Sequence, residues 1–237
     1  MKNKKLYLTI DDAPSCFMQE KIDCLHQKNI PALWYCRGEF INEKTMPSLV
    51  YAIQKNFIIG NHSFSHPYFS TLTFQQAKYE ITHTETLIKK AYDLAGIPQK
   101  YKLFRFPFLD KGGKLKTRLQ DFLKQEGYQK ACFENITYDY YQKEKLDNDI
   151  DAPWTFDACE YALFSEKSKK KRGLFTVEDF ITRIHKNDPK KGLGLLYPDS
   201  NDIVLLHDFE QTHHLFEPII DTLEKLPITF ELPTFKR

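Results

Sequence analysis

Two short segments hold the residues best suited to chemistry, Thr9-Ile10-Asp11-Asp12-Ala13-Pro14 and Asn61-His62-Ser63-Phe64-Ser65-His66-Pro67. The first puts paired carboxylates where an apolar run ends, and the second puts two imidazoles four residues apart beside a Gly60-Asn61 turn. One aspartate and two histidines suit a divalent transition metal and leave coordination positions open, the arrangement of a hydrolytic site. The remaining aspartate is then free to act as a base. If the strand persists through Asp11 and Asp12 their side chains face opposite ways, one toward metal and one toward substrate. One helical turn over 62–66 would bring both imidazoles to a single ion. Each segment also has a plain reading. Asp-Asp-Ala-Pro is ordinary strand-exit punctuation, and among eight histidines an i,i+4 pair arises readily.

Two further positions belong to the same chemistry. Arg105 lies on an apolar run, and a guanidinium buried there needs a carboxylate partner, for which Asp11 is the candidate. His207 closes the apolar run Ile203–Leu206, and an imidazole at a strand exit is suited to protonating a leaving group. A structural salt bridge and a capping histidine would look the same in sequence. His26, His83, His185, His213 and His214 lie in polar surroundings and read as solvated.

These residues need elements to position them. Short apolar runs (6–10, 32–36, 57–59, 103–106, 131–133, 154–156, 203–206 and 228–230) alternate with amphipathic stretches. Helices are predicted over 73–94, capped by Thr73 and stopped at Gly96, and over 114–126, 176–185 and 216–225. Repeated β-then-α order implies an α/β fold with a parallel sheet, open or closed into a barrel. In such folds chemistry collects at the carboxyl ends of the strands. Asp11-Asp12, His62, Arg105, Asp157 and His207 all fall at or just past such ends, so they should converge on one rim. Polar stretches 134–152 and 165–201 read as excursions beside that rim within a single domain over 1–237.

Composition bounds the rest. The 237 residues are 41% hydrophobic and 14% aromatic, enough for one core, and 34 Lys+Arg against 32 Asp+Glu give no bulk-charge argument for nucleic acid. The basic run 167–172 has no interleaved aromatics and reads as a solvated loop. Five cysteines without a C-x-x-C pair suit a reducing compartment. No segment has the length of a membrane span. As it stands the chain is expected in the cytoplasm, and an export signal removed beforehand would reverse that. Oligomeric state is not legible.

Taken in order, these segments resemble the polysaccharide deacetylase family, metal-dependent carbohydrate esterases with a NodB-like domain. The family's T-F-D-D is similar to Thr9-Ile10-Asp11-Asp12, and its H-S/T-x-x-H is met at every defined position by His62-Ser63-Phe64-Ser65-His66. R-x-P-Y is similar to Arg105-Phe106-Pro107-Phe108, D-x-x-D-W to Asp157-Ala158-Cys159-Glu160-Tyr161, and L-x-H to Leu205-Leu206-His207. The apolar-aromatic 32–37 before Gly38 resembles the family's second strand.

The resemblance implies a distorted (β/α) barrel with about seven parallel strands. Asp12, His62 and His66 would bind a divalent metal, zinc first, with cobalt or nickel as substitutes. Asp11 would be the base, positioned by Arg105, and His207 the acid. The backbone N–H of Phe108 would serve the oxyanion, Leu205 would line a pocket for the acetyl methyl, and Tyr161 would meet substrate. An acetylated sugar would be the substrate, with neither nucleic acid nor membrane as a partner. Three departures stand out. Phe108 replaces Tyr; Ala13 replaces Gly before Pro14, tolerable at negative φ; and Glu160-Tyr161 replace Asp-Trp. The carboxylate that tunes His207 would then be Glu160, with Asp157 or Asp139 as alternatives. Trp34, Tyr68, Phe69, Trp154 and Tyr161 are candidates for stacking on sugar. Two other functions compete, a metal-independent cyclic-amide hydrolase of the same fold and a carbohydrate-binding protein without activity.

Overall fold

The computed structural model describes residues 4–236. Its strands are β1 (Lys4–Ala13), β2 (Ala32–Cys36), β3 (Ile58–Asn61), β4 (Lys130–Cys132), β5 (Phe156–Asp157), β6 (Asp202–His207), β7 (Ile228–Phe230) and β8 (Thr234–Lys236). Its helices are α1 (Met18–Gln27), α2 (Met46–Gln54), α3 (Phe74–Ala95), α4 (Lys116–Gln125), α5 (Asp139–Lys143), α6 (Glu166–Arg172), α7 (Val177–Ile184) and α8 (His213–Glu224). Strands β3-β2-β1-β6-β5 pair in that order, with β7 beside the start of β1, and every pairing in this six-stranded sheet is parallel.

The sheet has one strand fewer than the resemblance implied. The run 103–106 makes only an isolated parallel bridge, Asn61 with Phe104. From there single backbone bonds carry the ring onward: Ala152 N–H donates to Phe104 O (2.9 Å) and Thr155 N–H to Ile203 O (2.9 Å). The run 131–133 leaves the sheet altogether, since β4 pairs antiparallel with β8. Of the three residues of β4 only Ala131 is buried. A strand inside a parallel sheet must be apolar on both faces.

The period-two alternation of β1 explains how an apolar strand delivers a polar site. Leu6, Leu8 and Ile10 turn outward onto the main core beneath α1, α2, α7 and α8. The intervening Tyr7, Thr9 and Asp11 turn inward. Tyr7 packs with Ile136, Tyr138 and Tyr141, Thr9 bonds Arg105, and Asp11 reaches the rim. The inner face therefore grows more polar toward the carboxyl end. Strand β6 follows the same rule, with Ile203, Leu205 and His207 inward, and the β1–β6 register sets Asp11 opposite His207.

Helix ends follow their local chemistry. Thr73 and Gln76 form a capping box at the start of α3, which stops at Gly96 in the left-handed region (φ 69). Thr176 and Asp179 form another on α7. The basic run 167–172, expected as a loop, is instead α6, capped by Ser165 and ended by Gly173 (φ 65). No described helix is long and apolar enough to cross a membrane.

One pair ties the rim to a helix. Lys21 occupies the buried stripe of α1 and meets Asp208, just past β6, at 2.6 Å with both side chains essentially inaccessible. Asp208 also accepts from Ser15 N–H (2.6 Å) and Ser15 Oγ (2.7 Å), fastening the exits of β1 and β6 together. Replacing Lys21 by Met leaves a buried carboxylate without its cation, which costs about 3–5 kcal/mol. Urea unfolding of Lys21→Met should show a loss of that order, and stability equal to the unmodified protein's would refute this role.

Candidate active site

The strand ends enclose a cavity of about 690 Å³ lined by Asp11, Asp12, His62, His66, Arg105 and His207, among others. The predicted residues are thus brought together on one rim. Asp12 gets there through a bulge near the end of β1. A register shift between Ile10 and Ala13 and a φ of 61 at Asp12 swing its carboxylate to the same side as Asp11. The expectation of opposite faces fails because the strand is interrupted at Asp12 before pairing resumes at Ala13. Ala13 avoids positive φ, as its lack of a glycine there requires.

The two imidazoles also meet by another route than expected. Gly60 and Asn61 are the end of β3, not a turn, and 62–66 is a loop, not a helical turn, with Ser63 (φ 67) and His66 (φ 59) in the left-handed region. Side chains pin this loop from several sides. Asn61 Oδ1 accepts from Ser63 N–H (2.9 Å), while Glu80 accepts from Phe64 N–H (2.9 Å), Ser65 N–H (2.7 Å) and Ser65 Oγ (2.7 Å). Gly38 lets the loop approach, because a Cβ there would lie 2.4 Å from Thr84 Oγ1 and 2.5 Å from Phe64 Cδ2. The rings of His62 and His66 end 5.0 Å apart.

Protonation follows from the hydrogen bonds. His62 Nδ1 lies 2.8 Å from the carbonyl of Arg105, which can only accept, so Nδ1 carries the proton and Nε2 presents a lone pair. Burial pulls His62 down to about 3, and burial with the neighbouring His62 and Arg37 does the same to His66. Both rings are therefore neutral at ordinary pH, the form in which imidazole ligates metal. Burial pushes the Asp12 carboxyl up to about 6. Asp12 Oδ1 is buried and takes no hydrogen bond from any described group, its neighbours being His66 Nε2 at 3.5 Å and Arg37 Nη1 at 3.6 Å. One ligand atom from each of Asp12, His62 and His66 lies within 4.8 Å of the others. An orphaned carboxylate oxygen facing two bare imidazole nitrogens fits a divalent cation.

Asp11 stands beside this trio. Its Oδ2 is 3.4 Å from His62 Nε2, and its Oδ1 accepts from Arg105 Nη1 at 2.8 Å. The buried Arg105 also donates to Thr9 Oγ1 (2.8 Å), Ala152 O (3.0 Å) and Pro153 O (2.9 Å), and lies over the Tyr35 ring. On the neighbouring strand β6 His207 Nδ1 is 3.0 Å from Glu160 Oε2, and Glu160 Oε1 accepts from His207 N–H (3.0 Å). Burial opposes charge on His207, but Glu160, with Asp157 and Asp12, outweighs it and pushes the ring up to about 10. Glu160 is thus the tuning carboxylate. Asp157 instead accepts from Tyr161 OH (2.8 Å), and Asp139 is exposed and outside the cavity.

The other predicted residues divide. Leu205, Tyr161, Trp154 and Phe108 line the cavity. Tyr68 stacks on Phe108 at 4.2 Å, each more than half exposed. Trp34 and Phe69 are fully buried core residues and cannot meet a sugar. Sequence reasoning missed Glu80 and Arg37 beside the ligands and Arg172, Arg183 and Lys191 in the cavity wall. Glu80 did leave a signal, a carboxylate on the apolar stripe Ala77, Ile81, Ile88 of α3.

The polysaccharide deacetylase family model matches residues 1–131, more than half of the chain. The chain belongs to that family. The matched part contains Asp11, Asp12, His62, His66 and Arg105, while Glu160 and His207 lie beyond it. A peptidoglycan-N-acetylglucosamine deacetylase of Bacillus cereus is 33% identical over 96 residues, 40% of this chain and 33% of that protein. A peptidoglycan-N-acetylmuramic acid deacetylase of Bacillus subtilis is 29% identical over 97 residues, 40% of this chain and 35% of that one. The alignments thus span about a third of these curated relatives. Among solved structures, a family 4 carbohydrate esterase from Streptomyces lividans in complex with acetate superposes with a TM-score of 0.64 at 18% identity, over 97% of this chain and 93% of that one. A family 4 pseudoenzyme from Bacillus anthracis gives the same TM-score at 16% identity, over 97% and 63%. These likenesses establish the fold, and the pseudoenzyme makes plain that fold alone does not carry activity.

Glu80 should matter to the trio without touching it. Removing a group that orients a ligand weakens metal affinity by about ten- to hundredfold. Glu80→Ala should lose zinc affinity by that factor in competition with a chromophoric chelator while keeping its folded circular dichroism spectrum. Affinity equal to the unmodified protein's would contradict the assigned role.

Proposed function

We propose that this protein is a metal-dependent hydrolase that removes acetyl groups from an N-acetylated amino sugar or oligosaccharide. One observation carries the reading: the Asp12-His62-His66 trio, the Asp11–Arg105 pair and His207, backed by Glu160, meet at a single cavity. A divalent cation held by Asp12, His62 and His66, zinc by preference for this donor set, would polarise the acetyl carbonyl and make water a better nucleophile.

The chain's own residues supply the rest. Asp11, held by Arg105 with its second oxygen toward the trio, takes the proton from the attacking water. His207 keeps Nδ1 on Glu160 and offers its Nε2 proton to the departing amine, which leaves poorly unless protonated. The Phe108 N–H serves the developing oxyanion. Leu205, inward on β6, meets the acetyl methyl, and Tyr161 and Phe108 flank the sugar.

A metal-independent hydrolase of cyclic amides would have no use for the complete trio. A carbohydrate-binding protein without turnover would bind sugar unchanged by Asp11→Asn. Acetate release from N-acetylglucosamine oligomers should stop with a chelator and return with zinc, and cobalt or nickel should substitute. Release that persists in protein verified as metal-free would sink the proposal. Asp11→Asn should lower kcat by about 10²–10⁴-fold.

The pH profile tests the acid. Glu160 favours the charged ring of His207, so neutralising it lowers the pKa and deprotonates the acid sooner as pH rises. The alkaline limb of kcat should therefore move to lower pH in Glu160→Gln, and an unmoved limb would exclude His207 as the acid.

A further inference from the structure

We propose that the sugar bound in this cavity carries an anionic group, a carboxylate or a phosphate, recognised by Arg172, Arg183 and Lys191. The inference rests on the sugar-binding part of the reading above and not on deacetylation. All three side chains come from the excursion 165–201, beyond the stretch that the family model matches.

Each cation sits on an aromatic face and lacks a counter-ion. Arg172 lies 5.0 Å from the centre of the Tyr161 ring, Arg183 4.8 Å from Phe156, and Lys191 4.5 Å from Trp154. Arg183 donates to the carbonyls of Ala158 (2.8 Å) and Gly192, and Arg172 donates to Cys159 Sγ (3.1 Å). None of the three pairs with a carboxylate among the described residues. The other cations of the cavity do: Arg105 with Asp11, and Arg37 with Glu39.

The balance of charge favours an anion. Five Lys and Arg side chains line the cavity against three Asp. Of those three, Asp11 is committed to Arg105, Asp12 faces the imidazoles, and Asp157 is bonded by Tyr161 OH and Cys159 N–H. Burial lowers the pKa of Lys191, and the more distant carboxylates of Glu144 and Asp157, neither within ion-pair distance, offset this only in part. The C-terminal end of α6 accounts for a cation at Arg172, but no helix end accounts for Lys191. A neutral oligosaccharide would use these groups only as hydrogen-bond donors and leave their charges unmatched. A carboxylate or phosphate would meet the guanidinium forks and the ammonium across aromatic walls.

Calorimetry on the unmodified protein with non-hydrolysable glucose analogues separates this from catalysis. Three forms are compared: the methyl glycoside, the 1-phosphate and a 3-O-carboxyalkyl ether. At least one anionic form should bind about tenfold tighter than the neutral one, a difference of about 1.4 kcal/mol. That preference should shrink in about 0.5 M NaCl, where screening is strong. Combining Lys191→Met with Arg172→Gln should collapse the ratio toward one. Preference for the phosphate or for the ether identifies the source of the charge. Equal binding of all three forms, no detectable binding of either anion, or a preference that survives both substitutions would overturn the proposal. Absence of acetate release from N-acetyl sugars would instead count against the hydrolase and leave these ratios standing.

Discussion

A guanidinium sealed inside the ring of strands is the constraint on which the rest of this structure depends. Arg105 is fully buried, and a charge in that position is tolerated only with its donors satisfied. It spends them on Asp11 and Thr9 of β1 and on the carbonyls of Ala152 and Pro153. These are the elements that meet across the gap where the sheet lacks a ladder. The same residue's carbonyl fixes the tautomer of His62. One side chain and its own backbone thus link the strands across that gap, orient Asp11, the proposed base, and set the tautomer of His62, a proposed ligand.

Around that anchor the cavity keeps three histidines in two opposite states. His62 and His66 are held neutral by burial, with cations rather than carboxylates prominent among their perturbing neighbours. His207 is no less buried but faces Glu160, which makes the charged ring the favoured one. In the proposed roles the ligands must be unprotonated and the acid must hold its proton, and the placement of one carboxylate would separate them. Glu160 reaches His207 twice, at Nδ1 and at the backbone N–H, a bracing that its longer side chain permits.

Much of this was legible in the sequence, for identifiable reasons. Strands buried on both faces read as continuous apolar runs, so β1, β2 and β6 and the convergence of their ends could be seen in advance. Arg105 on such a run demanded a partner and found Asp11. What escaped depended on local backbone geometry. The positive φ values of Asp12, Ser63 and His66 have no sequence mark, since none is glycine, and they decide how the ligands meet. Residues 131–133 were apolar enough for a strand but too short and one-sided for the parallel sheet. Glu80 was visible as a charge on the apolar stripe of a predicted helix, whereas Lys21 lies on α1, where no helix was predicted, and nothing in sequence named Asp208 or the 64–65 backbone as their partners. Arg183 lies on a helix that was predicted and Arg172 ends α6, but nothing in the sequence turned these side chains or Lys191 toward the cavity.

The central claim is that Asp12, His62 and His66 form one metal centre beside Asp11. Anomalous scattering from crystals grown with zinc and measured across its absorption edge tests it most directly. The account predicts one dominant peak at about 2.0–2.2 Å from Asp12, His62 Nε2 and His66 Nε2. A described group of three other potential ligands, Asp157, Glu160 and His207, lies in the same region. A dominant peak there, or none at the first trio, would contradict the account.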